Sequence, residues 1–122
     1  MTDEKTLQKI KSELLNGKKS QAEGNEGRAR VCARRAAGWA IQEFLLQNGE
    51  PIPSTIALEL IKYFAALEDH PEQVYQTLER LTIRVAKDSF EEEAYYPIAG
   101  VDLVKEANWL IQELLGVNLL SE

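Results

Sequence analysis

Residues 27–49 read GRARVCARRAAGWAIQEFLLQNG. Within this stretch Ala29, Ala33, Ala36, Ala37, Ala40, Ile41, Phe44 and Leu45 recur at steps of three and four, the repeat of one helical face. The spacing predicts a helix over about residues 26–48, closed by Asn48-Gly49. The front of that face carries almost no side-chain volume, so a second helix can approach closely there. Phe44 and Leu45 fill the wider end. Arg28, Arg30, Arg34 and Arg35 decorate the flanks and outer face of the same helix. A chain organised around such an element belongs to the all-α class.

Helical periodicity continues on both sides. Thr2 or Asp3 is placed to cap a first helix carrying Leu7, Ile10 and Leu14, and Asn16-Gly17 reads as its stop. The polar segment Lys18–Gly27 then reads as a loop, although its Gln-Ala-Glu is compatible with helix. Downstream, Glu50-Pro51-Ile52-Pro53 is an extended connector, because each proline biases its predecessor away from the helical region. Ser54 or Thr55 is expected to cap a third helix with Ile56, Leu60, Phe64 and Leu67 on its apolar face. His70-Pro71 marks a break, and Pro71 suits the first turn of a fourth helix reaching about Lys87 through Val74, Leu78, Leu81 and Val85. FEEEAYYPIAG, residues 90–100, reads as a loop. A last helix, about 101–115, places Val104, Ala107, Leu110, Ile111 and Leu114 on one face and ends at Gly116. No segment alternates apolar and polar residues for long, so no sheet is expected.

The 122 residues are read as one domain, 1–122, large enough to bury about two thirds of its unfolded surface without a disulfide or a metal. Cys32 is the sole cysteine and His70 the sole histidine. That excludes an internal disulfide, leaves too few soft ligands for a metal site, and fits a reducing compartment. No cofactor is implied. The first residues, MTDEKTLQKIK, hold no apolar core of a signal peptide, and no apolar run approaches the ~20 residues that cross a bilayer. The expectation is a cytoplasmic protein with no membrane contact.

The net charge of −6 is unevenly distributed. Residues 1–40 hold nine Lys/Arg and five Asp/Glu, a balance of +4, and the rest holds five and fifteen, a balance of −10. An acidic chain overall is a poor nucleic-acid ligand, yet a local anion-binding surface survives in its first third. Lys18, Lys19, Arg28, Arg30, Arg34 and Arg35 form that constellation. Spacing lets Arg28, Arg35 and, less closely, Arg34 share a side, and makes Arg30 and Arg34 neighbours. Arg28 and Arg30 lie near a helix N-terminus, where cations oppose the dipole and a bound anion is favoured. Two readings stand open: an anionic partner, or a solvated face whose charge is met within the protein or by Glu91–Glu93 of a neighbour.

The remaining candidates read mainly as structure. Cys32 lies beside the alanine stripe and packs as a small apolar residue unless the arginines lower its pKa. His70 precedes a proline, has no identifiable orienting partner, and reads as a turn residue. Trp39, Trp109, Tyr95 and Tyr96 are either core and interface aromatics or platforms for stacking bases.

The series ARVCARRAAGWAIQEFLLQNGEPIPSTIALELIKYF, a long helix, and then YYPIAGVDLVKEANWLIQELLG resembles a HEPN domain (higher eukaryotes and prokaryotes nucleotide-binding). The resemblance spans about residues 5–116 and rests on the order of helices and their punctuation. It implies an antiparallel four- to five-helix bundle, commonly a homodimer. Its implied partners are a nucleotide, an RNA or a separately encoded minimal nucleotidyltransferase, as in toxin–antitoxin pairs. Ribonucleases and toxins of the family carry an Arg followed by a His four to six residues later. Such a pair exchanges a proton and steadies phosphate charge. Here Arg35 is the nearest arginine before His70, and the late loop reads Tyr95-Tyr96-Pro97 where some relatives have Arg-Tyr-Pro. The resemblance therefore assigns no catalytic residue and points to a non-enzymatic binding or interaction module. The alternatives are a divergent ribonuclease using other residues and a purely structural homo-oligomerisation domain.

Overall fold

The computed structural model describes residues 2–67, 69–82 and 101–120. Over these residues the protein is all-helical: α1 (Glu4–Ala22), α2 (Glu26–Gln47), α3 (Ala57–Ala66), α4 (Glu72–Thr82) and α5 (Leu103–Leu115). No strand occurs among the described residues. The expected loop at 90–100, with Tyr95 and Tyr96, and the end of the fourth helix at 83–87 lie outside the described residues.

α2 is the axis of the fold, and each of the other four helices packs against it. Its alanine face is the reason. Ala29, Ala33, Ala36, Ala37 and Ala40 are all buried, and the last four, with Ile41 and Leu45, meet Ile10 and Leu14 of α1, Leu60 and Phe64 of α3, and Val104, Ala107 and Ile111 of α5 in one core. Short side chains at the centre allow four neighbours around one helix, which larger residues would hold apart.

The expected stop of α1 at Asn16-Gly17 is not where the helix ends. Gly17 is buried in mid-helix, where a Cβ would lie 2.8 Å from Val104 Cγ2 and 3.3 Å from Cys32 Cβ. This glycine serves a close helix crossing and not a turn. The real stop comes seven residues later, at Gly24, with φ +77°. There Gly24 N–H donates to the Gln21 carbonyl and Asn25 N–H to the Ser20 carbonyl, the paired bonds that close a helix through a left-handed residue. The expected ten-residue loop thus contracts to Glu23–Asn25. Asn25 at once caps α2 by accepting from the Arg28 backbone N–H at 3.1 Å.

The start of α3 also differs. Neither Ser54 nor Thr55 caps it; Ile56 occupies that position with no side-chain cap, and the Ser54 hydroxyl accepts from Ile56 N–H at 3.0 Å. The two prolines hold the chain extended long enough to delay the helix. Ile56, expected on the buried face, is consequently 58% exposed. α5 follows expectation, with Asp102 accepting from Val104 and Lys105 N–H at its start and Gly116 at φ +75° at its end.

Candidate functional site

The basic residues of the first third do not form one patch. Arg34 turns towards α4 and its Nε donates to the Leu81 carbonyl. Arg35 turns towards α1, where Nη1 meets Glu13 Oε2 at 2.9 Å. Spacing grouped Arg34 with Arg28 and Arg35; the structure puts it on the opposite flank, because adjacent helical residues diverge by about 100°. Arg30 is half-buried and engaged in a further contact. Both Arg34 and Arg35 therefore hold helices together.

Glu13 is the acidic centre of the α1–α2 seam. It is 8% exposed, accepts from Arg35, and takes a long 3.5 Å bond from Asn16 Nδ2. Arg35 remains 53% exposed, so water screens the pair and its worth stays near the ~1 kcal/mol of surface ion pairs. Cys32 faces the same seam and is 3% exposed. Burial pushes its thiol pKa up, hydrogen bonding and repulsion from Glu13 push the same way, and Arg28 opposes them more weakly. The arginines thus do not activate this thiol, against the alternative left open above. Raised above its unfolded value, it favours the folded state below the ordinary thiol range, and that contribution is lost as pH rises through the folded pKa. Iodoacetamide is expected to label Cys32 at pH 8 only after denaturation; rapid labelling of folded protein would contradict this environment.

A different grouping of cations emerges where the α1–α2 turn meets α5. Lys18 and Lys19 lie in the last turns of α1, Arg28 in the first turn of α2, and all three are exposed. Across from Lys18 stands Lys105, in the first turn of α5. The two lysines share the wall of a cavity of about 270 Å³ with Asp102, Val104, Asn108, Asn118 and Leu120. Neither lysine makes an ion pair or side-chain hydrogen bond among the described residues. Asp102, the acidic group among the described lining residues, uses Oδ1 for structure: it receives Gln21 Nε2 at 2.8 Å and the two backbone N–H groups of the cap. On the floor Asn108 Nδ2 donates to Asn118 Oδ1 at 2.9 Å. The arrangement suits an anion: uncommitted ammonium groups from two helices over a floor of amides.

Trp39 and His70 are engaged in contacts within the fold. Trp39 is half-buried under Lys9, whose Nζ lies 4.1 Å from the ring centroid. His70 sits between Phe64 and Tyr75, with ring centroids 4.4 and 5.1 Å away, and its Nε2 lies 2.7 Å from the Phe64 carbonyl. Lys105 was missed by sequence reasoning; its only signal was its place one turn into the last helix. Among the described residues no cluster of His, Cys, Asp and Glu could hold a metal, and no helix is long and apolar enough to cross a membrane. Matched against family models, curated proteins and solved structures, the chain gives no match in any of the three comparisons.

Proposed function

We propose that this chain is a non-enzymatic, HEPN-like binding module that works as a cytoplasmic homodimer. It uses the basic end formed by Lys18, Lys19, Arg28 and Lys105 to hold an anionic partner. The observation that carries the reading is the pair Lys18 and Lys105, brought from two helices onto one cavity beside the single carboxylate of Asp102, with neither lysine ion-paired among the described residues. A nucleotide or RNA phosphate, or the acidic face of a minimal nucleotidyltransferase, supplies what this end lacks. The non-enzymatic part of the reading rests on His70. Its Nε2 is occupied by a backbone carbonyl and its ring is clamped between two aromatics, which leaves it poorly placed to exchange protons with a substrate.

The test is the triple variant Lys18→Gln, Lys19→Gln, Arg28→Gln. These residues are exposed, so each change is expected to move stability by less than about 0.5 kcal/mol. Binding of single-stranded RNA should weaken, and the slope of log K against log salt should flatten by about 2 if all three meet phosphates. Unchanged affinity and slope would overturn the reading. For the dimer, sedimentation at micromolar concentration showing only a 13.8 kDa species would be decisive against it.

A further inference from the structure

We propose that the groove between α4 and α5 is a second, independent binding site, for a small neutral polyhydroxylated ligand of monosaccharide size. Gln73, Gln76, Thr77 and Arg80 stand at steps of three and four on α4, forming one polar stripe. Glu106 and Trp109, three apart on α5, form the facing wall. The space enclosed is about 250 Å³.

Thr77 is the anomalous member. It is 1% exposed, yet its hydroxyl makes no hydrogen bond among the described residues. Thr77 nevertheless lines the groove. Packing alone would be served as well by valine, which has the same shape and no polar atom to satisfy. A polar group held at the base of a groove, unused by the fold, is what a ligand contact requires.

Among the described lining residues the charges are balanced, which disfavours a simple ion. Arg80 Nε is bonded to Glu106 Oε1, and the two charges cancel. That bond leaves the terminal guanidinium nitrogens as donors and Glu106 Oε2 as an acceptor. The two glutamine amides and the threonine hydroxyl each offer both functions. A ligand matching such a wall must itself donate and accept at several closely spaced points, which neighbouring hydroxyls on a ring do. Guanidinium, amide and carboxylate groups are planar and can each engage two adjacent hydroxyls. Trp109, the aromatic among the described lining residues, offers an electron-rich face to the weakly positive C–H face of a sugar ring.

The test uses the full chain carrying Trp39→Phe, which leaves Trp109 as the lone indole reporter. D-glucose, D-galactose, D-mannose and myo-inositol are titrated separately to about 50 mM, with adenosine as the contrasting probe. At least one of the four is expected to change Trp109 emission saturably and to shift the side-chain amide resonances of Gln73 and Gln76. Because the charges of the described lining residues cancel, affinity should hold steady as salt rises, unlike binding at the basic end. Thr77→Val should weaken binding about tenfold without lowering the unfolding midpoint, and Thr77→Ser should restore most of it. Silence of all four probes, a response to adenosine alone, or full affinity in Thr77→Val would each overturn the assignment. So would a loss of stability in Thr77→Val, since it would give the hydroxyl a structural duty.

Discussion

Gly38→Val is expected to destabilise the protein by about 3 kcal/mol, the upper range for overpacking a core. Gly38 is buried in α2 where the first residue of α3 crosses it. A Cβ there would lie 2.8 Å from Ala57 Cβ and 2.9 Å from Ala57 Cα. The second contact decides the outcome, because a backbone atom cannot rotate away as a side chain can. α3 would have to lift off the central helix, drawing Leu60, Ile61 and Phe64 out of the core. Gly38→Ala carries the same Cβ clash, and the helix-propensity gain of about 1 kcal/mol offsets only part of it. Gly27→Ala is the control. Gly27 is exposed in the first turn of the same helix, its nearest neighbour 3.9 Å away, so alanine should stabilise by about 0.5 kcal/mol. Urea midpoints with an unchanged m-value read all three. A Gly38→Val midpoint equal to the parent would mean that α2 and α3 do not cross this closely.

Helices were legible where periodicity and punctuation agree. α2 carries an unbroken apolar repeat and ends at Asn48-Gly49, with Gly49 at φ +69°; α5 has Val104, Ala107, Leu110 and Ile111 on one face and Gly116 after it. The end of α1 was not legible, and the reason is physical. Asn16-Gly17 and Asn48-Gly49 are the same dipeptide, yet one glycine supplies a left-handed turn and the other a missing side chain at a helix crossing. Nothing local separates these uses, since the atoms that would clash with a Cβ at position 17 belong to Val104 and Cys32. The third helix was displaced for a related reason. A serine after two prolines satisfies a cap pattern, but the chain geometry they impose lets Ser54 bond only to Ile56 N–H.

The candidate site was legible in composition and not in arrangement. Sequence located an excess of positive charge, but the partners that divert Arg34 and Arg35 lie 47 and 22 residues away. A helical projection cannot supply them. Lys105 joins Lys18 only through the packing of α5 on α1. The α4–α5 groove left a fainter trace that periodicity does carry. Beside the apolar Val74, Leu78 and Leu81 runs a second stripe, Gln73, Thr77 and Arg80, and Trp109 had already stood out as an aromatic candidate. A polar stripe flanking an apolar one normally faces water. Burial of Thr77 is the fact that changes its meaning, and burial depends on the helix opposite.

Phe64→Ala is expected to be among the most damaging single truncations, at about 3–5 kcal/mol. Phe64 is fully enclosed at the end of α3, edge-on to Phe44 of α2 at 5.6 Å and 79°. Its loss leaves a cavity that α3 cannot close by moving inward, because Leu60 and Ile61 are already seated on α2. It also undoes the junction to α4. His70 packs on the Phe64 ring and bonds to the Phe64 carbonyl, while the Tyr75 hydroxyl donates to the Leu67 carbonyl at 3.0 Å. Ring and carbonyl of one residue thus fix the imidazole, and the two substitutions should not be additive. A double-mutant cycle of Phe64→Ala with His70→Ala is expected to show a coupling of about 0.5–3 kcal/mol, the range for residues in direct contact. Phe64→Leu, which keeps most of the volume, should cost less than about 1.5 kcal/mol. Strict additivity in the cycle would place His70 outside the core's cooperative unit, and its ring would then be freer for chemistry than its contacts indicate.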